Sequence, residues 1–460
     1  MAPEAYTAKL AEHIAGITWS GLAPEVCAHS AYLFLDFVGL AAKGLSMEST
    51  RAVHAMIRKL GGSGHGTVVG DSLQPLPQYA ALANAAASHS MSLDDIYTPA
   101  SIHPGSAIFA AALAAAENTG ADGKRFTEGV VAGYDTTLRV ADAVGVKSHY
   151  AFGWHPTATC GTFGATAAVA RILELDAAKT ANAFGIAGSM ASGLMAFMVD
   201  GSWTKRIHPG LAAQRGIQAA YLAAEGFKGP QAVLESKWGF LAATSTQADA
   251  QRLVSDFGGR PRVMDTGLKL HACCRYNQSA IDAALEIMRV NALDWQEVEK
   301  IRVEIFKAAY PLVVEPLAEK MSPRTDVQAQ FSLPYTVALA VVKGKVSFEE
   351  FSSVMLQDPA VRDTMQRVTV VHDPALDAEF PQSWPARVVI RTRDCRTFEK
   401  RMDYPKGDIE NPLTWEELIA RFNVHSLNVF DASRQARIVD AVKKLATFEN
   451  LAELGALLRP

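Results

Sequence analysis

TAAVARILELDAAKTANAF (Thr166 to Phe184) sets the architecture of the first half of the chain. Its apolar residues recur at helical rather than alternating spacing, and its many alanines let neighbouring helices approach closely. AIFAAALAAAEN (Ala107 to Asn118) repeats the pattern, and Ala, Leu and Gly stay abundant to about residue 265. An all-α domain is expected there. After Pro261 the character changes: KIRVEIF (Lys300 to Phe306), RVTVVHD (Arg367 to Asp373) and ARVVIRT (Ala386 to Thr392) are rich in β-branched residues. RDCR (Arg393 to Arg396) then reads as a hairpin turn into TFEKRM, and helical patterns lie between the strands at Ala280 to Val290 and around Val337 to Val342. These predict a smaller α+β domain over 266–404. The tail returns to helix. TWEELIARF opens with Thr414 as a cap and Glu416 and Glu417 in the first turn, and RIVDAVKKLATF follows. Residues 405–460 are therefore assigned with 1–265 to one large helical domain, which makes the α+β unit an insertion.

With 460 residues, the chain has room for two domains and a sizeable core. Its 44 basic against 48 acidic side chains give a net charge of −4, so no basic footprint for nucleic acid exists. Hydrophobic residues make up 49% of the chain, too many for an extended disordered protein. The start, MAPEAYTAKLAEH, lacks a basic leader with an apolar run, so no secretory signal peptide is expected. TANAFGIAGSMASGLMAFMV, between Lys179 and Asp200, is uncharged but broken by Asn182, glycines and serines. It predicts a buried helix-turn-helix rather than a bilayer span. Cys27, Cys160, Cys273, Cys274 and Cys395 are odd in number and show no CxxC spacing, against a disulfide framework or a structural zinc site. A soluble, cytoplasmic protein without metal or membrane association is the expectation.

Several motifs mislead. SWTK (Ser202 to Lys205) matches S-x-x-K, but the SDN and KTG partners of the acyl-transferring serine enzymes do not occur. GGSGHG (Gly61 to Gly66) lacks the spacing of a phosphate-binding loop and reads as a flexible turn. Adjacent Cys273 and Cys274 cannot supply the three spaced thiolates of an iron-sulfur dehydratase.

Chemistry concentrates in four glycine- or proline-punctuated stretches: HSMSLDDIYTPASIHPGS (His89 to Ser106), GYDTTLRV (Gly133 to Val140), GWHPTATCGTFG (Gly153 to Gly164) and DGSWTKRIHPG (Asp200 to Gly210). Pro or Gly beside His or Lys places these side chains near element ends, where they can converge on a ligand. Together they offer His103, His155, His208, Lys205, Arg206, Asp94 and Asp95, a set suited to an anionic small molecule. For a substrate whose C–H adjoins a carboxylate, proton removal adds charge to an already anionic group, so fixed cations are required. Lys205 is the first candidate for that role, with Arg206 and His208 behind it. His103 or His155 has an intrinsic pKa suited to the base. Asp94 could orient a histidine or hold a hydroxyl, and Tyr97 could give a proton to a leaving group. Asp95 is as readily a first-turn acid. Arg275 could bind a carboxylate.

The ordered blocks NAAASHSMSLDDIY, SIHPGSAIFAAALAAAE, GYD, GWHPTATCGTFGATAAVARIL, GIAGSMASGLMAF, DGSWTKRIHPGLAAQRG, GFKGPQAVLES and HACCRYNQSAIDAAL resemble the MmgE/PrpD family. That family includes 2-methylcitrate dehydratase, cis-aconitate decarboxylase and iminodisuccinate epimerase. The resemblance implies a large helical domain with an α+β lid, a homodimer, and a cofactor- and metal-free site between the domains for a small di- or tricarboxylate. It maps the site onto Asp94, Tyr97, His103, His155 and Lys205. Many members carry a histidine where this chain has Gln278, and an amide does not titrate near neutrality. A lyase eliminating water or carbon dioxide from a 2-methylcitrate- or aconitate-like acid is the expected activity. An epimerase is the alternative, favoured somewhat by Gln278, and a non-catalytic dicarboxylate-binding scaffold is the third reading.

Overall fold

The computed structural model describes residues 5–460. Its first half is a layered set of helices whose alanine and glycine faces meet. Helices Gly105–Thr119, Gly123–Val144, Pro156–Ile172 and Thr204–Ala224 form the centre, flanked by Pro24–Gly44 and Pro77–His89. Small side chains decide how close the central helices come. At Gly164 a methyl group would overlap Thr137 Oγ1 and lie 2.7 Å from the Gly133 carbonyl oxygen. Both obstacles belong to helix Gly123–Val144, so Gly164→Ala must push the two helices apart. We expect it to lower stability by about 1–3 kcal/mol, the usual result of overfilling a close-packed core, measured as the denaturation midpoint.

The helical run from Thr166 to Phe184 is interrupted. Helix Pro156–Ile172 ends, Glu174 turns with φ of 54°, and a new helix, Ala177–Met190, starts where the Asp176 side chain accepts from the Lys179 N–H. Aspartate at that N-cap restarts the helix in a new direction while the apolar period continues through the break. The uncharged stretch after Lys179 forms this helix, a bend, and the short helix Phe197–Asp200, a helix-turn-helix whose second part, with Leu194 and Val199 exposed, is not buried as expected. One helix, Pro24–Gly44, is long and apolar enough to cross a membrane, and 72% of its apolar window is buried inside the protein.

The second half holds a four-stranded mixed sheet in the order β2-β1-β3-β4, with β1 Val298–Ile305, β2 Val368–His372, β3 Ala386–Thr392 and β4 Thr397–Met402. β1 runs parallel to β2 and antiparallel to β3, with Ile301 opposite Val368 and Val303 opposite Val388. The β3–β4 hairpin turns through Cys395 at φ of 67°. Helices Gln278–Val290 and Leu333–Lys343 pack on the sheet in a separate core that includes Ile281, Val303, Leu339 and Val388. The tail helices Trp415–Ser426, Ala432–Lys443 and Ala452–Leu458 return to the first core through Leu418, Phe422, Ile438 and Leu454. Thr414 caps the first of them in a complete capping box with Glu417. The architecture is thus a large helical domain with a smaller α+β domain.

Candidate active site

Three long helices begin at one place. His155 is the N-cap of Pro156–Ile172, His103 stands two residues before Gly105–Thr119, and Lys205 is the second residue of Thr204–Ala224. Proline after each histidine favours a helix start, since its fixed φ suits the first turn and its missing N–H is not needed there. The positive ends of three helix dipoles therefore meet, a setting that favours an anion. A lysine at such an end is disfavoured by the same dipole, so Lys205 is poorly placed for helix stability.

Around this point lies a narrow cavity between the helical and the α+β sides. The helical domain contributes Ser92, His103, Tyr150, His155 and Lys205 to its wall. The α+β side contributes Lys269, Cys274, Arg275 and Leu312. Lys205, Lys269, His103 and His155 are buried, each less than a tenth exposed.

The hydrogen bonds fix the proton positions. His103 Nδ1 lies 2.8 Å from the Asp95 carbonyl oxygen, which can only accept, so Nδ1 carries the proton and Nε2 presents a lone pair. His155 Nδ1 is 3.0 Å from His208 Nδ1, so one ring must donate to the other. Lys205 Nζ donates to Ser92 Oγ at 3.0 Å and to His89 Nε2 at 3.1 Å. His89 in turn donates through Nδ1 to Asp94 Oδ2 at 2.6 Å, and Ser106 Oγ donates to the same oxygen.

Charge follows from these contacts. Burial raises a carboxyl, yet His89, His103 and Lys269 outweigh it and hold Asp94 well below the ordinary range, so it is ionised. Asp95, one residue on, is pushed up to about 8 by burial and by Asp94, while accepting from Tyr134 and from the Gly105 N–H. Burial and the charge of Lys269 bring Lys205 down to about 7. Burial, then Lys269, keeps His103 well below its usual value, and burial with His208 does the same for His155. At neutral pH the cavity thus holds neutral imidazoles beside cationic groups.

Of the residues expected from the sequence, Lys205, His103, His155 and Arg275 line the cavity. Asp94 backs it, 3.7 Å from His103 Nδ1. His208 stands one layer behind, bonded to His155. Tyr97 requires correction as a proton donor. Its hydroxyl is turned away from the cavity onto Asp142 at 3.1 Å, with Arg262 against both. Tyr97→Phe should leave turnover unchanged while costing about 1 kcal/mol of stability for the lost bond, read from kcat and a melting curve side by side.

Arg206 is likewise placed elsewhere. Its guanidinium pairs with Asp326 of the α+β side and lies over Trp203, so it joins the two domains rather than meeting a ligand. Gln278 does not line the cavity either. Its amide accepts from the His271 N–H and donates to the His271 carbonyl, spanning that backbone like a clasp. The absence of a titrating group at 278 therefore has no direct bearing on the cavity, and its weight towards an epimerase falls away. Arg275 donates to Asp408 at 2.6 Å, while its buried Nε and Nη1 have no hydrogen-bond partner among the described residues. Unmet buried N–H groups in a cavity wall suit an anionic ligand.

Sequence reasoning missed His89, Lys269 and Tyr150. His89 is the only ionisable side chain on helix Pro77–His89 apart from Tyr79, at the end of an alanine run. Lys269 is a lone cation between Leu268 and Leu270, 2% exposed. A single charge beside apolar residues was the available signal. Among the described residues no group of three or more His, Cys, Asp or Glu side chains is arranged to hold a metal ion, and all five cysteines are free.

The two-domain architecture belongs to a recognisable class. Residues 8–253 match the MmgE/PrpD N-terminal domain and residues 271–447 the MmgE/PrpD C-terminal domain. The chain belongs to the MmgE/PrpD family. It is 27% identical to the cis-aconitate decarboxylase-like protein oryM of Aspergillus oryzae (strain ATCC 42149 / RIB 40), over 98% of this chain and 97% of that protein. It is 24% identical to a cis-aconitate decarboxylase of Aspergillus terreus (strain NIH 2624 / FGSC A1156), over 98% and 95%. The Homo sapiens cis-aconitate decarboxylase is 25% identical, over 98% and 94%. The C-terminal match takes in helices Trp415–Ser426 and Ala432–Lys443, which pack in the first core, so the sequence-family boundary and the packing boundary differ.

Proposed function

We propose that this protein is a lyase acting on a small, aconitate-like di- or tricarboxylate by acid–base chemistry within the cavity. The observation that carries the reading is the convergence of Lys205 and Lys269 with the neutral rings of His103 and His155 on one narrow, buried space. The named relatives support carbon dioxide as the group eliminated. The C–C bond to the departing carboxylate breaks, and its electron pair passes into a carbanion conjugated with a second carboxylate. Lys205, Lys269 and the three helix starts stabilise that charge as it grows. A proton then closes the new C–H bond. Lys205 supplies it, since its value of about 7 lets the ammonium release a proton at neutral pH. Arg275 holds a further carboxylate through its unmet N–H groups. In the dehydrating variant of this chemistry, His103 Nε2 takes the proton next to the carboxylate, and the hydroxyl receives a proton from the Lys205 ammonium and leaves as water.

The reading includes a homodimer. Leu194, Val199 and Trp203, exposed beside the cavity on one apolar segment, are consistent with a face covered by another copy.

The test is to incubate the protein in deuterium oxide with cis-aconitate, citrate, 2-methylcitrate and iminodisuccinate and to follow each by NMR. An alkene product that has lost one carboxylate and gained one carbon-bound deuterium, on either end of the allylic carbanion, is expected from cis-aconitate. Alkene formation from a hydroxy acid would move the reading to a dehydratase, exchange without elimination to an epimerase. No change in any of the four would overturn catalysis on this class.

A further inference from the structure

Helix Pro77–His89 ends on a histidine that no wall of the cavity includes and that the proposed chemistry leaves unused. Its ring is 0% exposed. Nδ1 reaches the Asp94 carboxylate at 2.6 Å, and Nε2 receives the Lys205 ammonium at 3.1 Å. A carboxylate oxygen only accepts, so the ring proton lies on Nδ1 and the lone pair on Nε2 faces the lysine. Asp94, His89 and Lys205 thus form one directed chain, with the negative charge at its far end and the lysine at the cavity. We infer that His89 is a positioning residue for the proposed lyase chemistry: it relays the Asp94 charge to Lys205 and so holds the lysine as an ammonium aimed at the substrate. The inference rests on the role given to Lys205 above.

The need for such a device follows from the charges around the lysine. Lys269 and Arg206 oppose its ammonium form, and Cys274 and Asp94 are the ionisable groups that support it. Asp94 lies beyond hydrogen-bonding reach, on the other side of the His89 ring. Ser92 accepts one Lys205 N–H, and His89 accepts a second. Around His89 itself stand Asp94, Lys205 and Lys269, the rings of His103 at 5.4 Å and His155 at 6.2 Å, and His208. The Asp36–Arg421 ion pair reaches Asp94 from the far side. Every ring in this set is neutral at pH 7 if the chain is polarised as drawn, so Asp94 is the anion that compensates Lys205. Asp94 is held on its own side by Ser106, which in turn accepts from Ser88. The same carboxylate lies 3.7 Å from His103, so a proton gained by His103 during turnover would be felt by Lys205 through His89.

Substitution can separate the relay from mere packing. Glutamine at 89 can reproduce the pattern, one amide N–H to Asp94 and its carbonyl to Lys205, whereas leucine keeps the volume and loses both bonds. With lysine labelled at 13Cε in the full-length protein, and Lys205→Arg assigning its signal, the Lys205 titration can be followed by NMR without any substrate. His89→Leu is expected to lower the Lys205 midpoint by about one pH unit, and His89→Gln to leave it in place. On a turned-over acid, the alkaline limb of kcat should move down with it, so that above both midpoints His89→Leu runs about tenfold slower, while KM changes little. If His89→Leu does not fold, His89→Asn, too short to span both partners, replaces it with the same expected shift. A midpoint unmoved in the leucine or asparagine variant, or moved equally by glutamine, overturns the relay. Failure of all acids to react would overturn the lyase reading alone, because the titration does not depend on it.

Discussion

Lys205→Met is expected to lower kcat by about 10²–10³-fold on the acid that the wild-type protein turns over, with the fold retained. The lysine is 6% exposed at the start of a helix, beside Lys269 and within the cavity wall. Among the described residues no other lysine or arginine lines the space from the helical side, since Arg206 is taken up by Asp326. Stability should respond in a way that identifies the same group. In the native protein the lysine titrates at about 7 against 10.5 when unperturbed. Between those values the unfolded chain binds a proton that the native chain does not, so the lysine's contribution to stability rises with pH. The wild type should therefore gain on Lys205→Met by about 1.4 kcal/mol per pH unit from pH 7 towards pH 10, and by nothing further below pH 7 where both states are charged. Parallel denaturant titrations at pH 6, 7.5 and 9 measure the difference. A flat difference would show that the lysine is not held at a depressed value and would remove it from the role of proton donor.

On a hydroxy acid, where His103 Nε2 takes the proton next to the carboxylate, His103→Ala should cost about 10²–10⁴ in kcat, the range for losing a group that moves a proton in the transition state. Its geometry is the reason. Nδ1 is committed to the Asp95 carbonyl, so the ring can act only through Nε2, on the cavity side. Burial and Lys269 depress its protonation, which keeps the base form available below the usual histidine range. In the wild type the acid limb of the rate profile should thus lie below pH 6.5, and the alkaline limb near 7 should belong to Lys205. If His103→Ala keeps full activity with the same profile, the proton is handled elsewhere, with His155 next in line.

Much of the fold was legible because its signals are local. The three strands and the hairpin into TFEKRM lie where β-branched residues cluster, and Thr414 with Glu417 announces a helix start that a capping box then forms. The interruption at Glu174 was not legible, since one left-handed residue and an aspartate cap change direction without changing the hydrophobic period. The site was legible in the same measure. The His-Pro pairs at His103 and His155 mark helix starts, where residues are free to converge, whereas the same pair at His208 lies inside helix Thr204–Ala224. Tyr97, Arg206 and Gln278 looked equally chemical in sequence, but each is satisfied by another partner: Tyr97 and Arg206 by Asp142 and Asp326, far along the chain, and Gln278 by the nearby His271 backbone. His89 and Lys269 passed unnoticed because a lone charge in an apolar run gives no hint of what it will face.

The amino-acid order by itself determined the helical first half, the β-branched second half and the helix starts that carry the histidines and Lys205, because periodicity, caps and prolines act over a few residues. Tertiary structure decided which charges remain available to a ligand. That choice depends on pairing: a buried cation or hydroxyl is silenced by a partner 45 or 120 residues away, as with Tyr97 and Asp142, or Arg206 and Asp326, or is left to face the cavity, as with Lys205 and Lys269. Burial then sets how readily each group gives or takes a proton, and no local pattern in the chain encodes it.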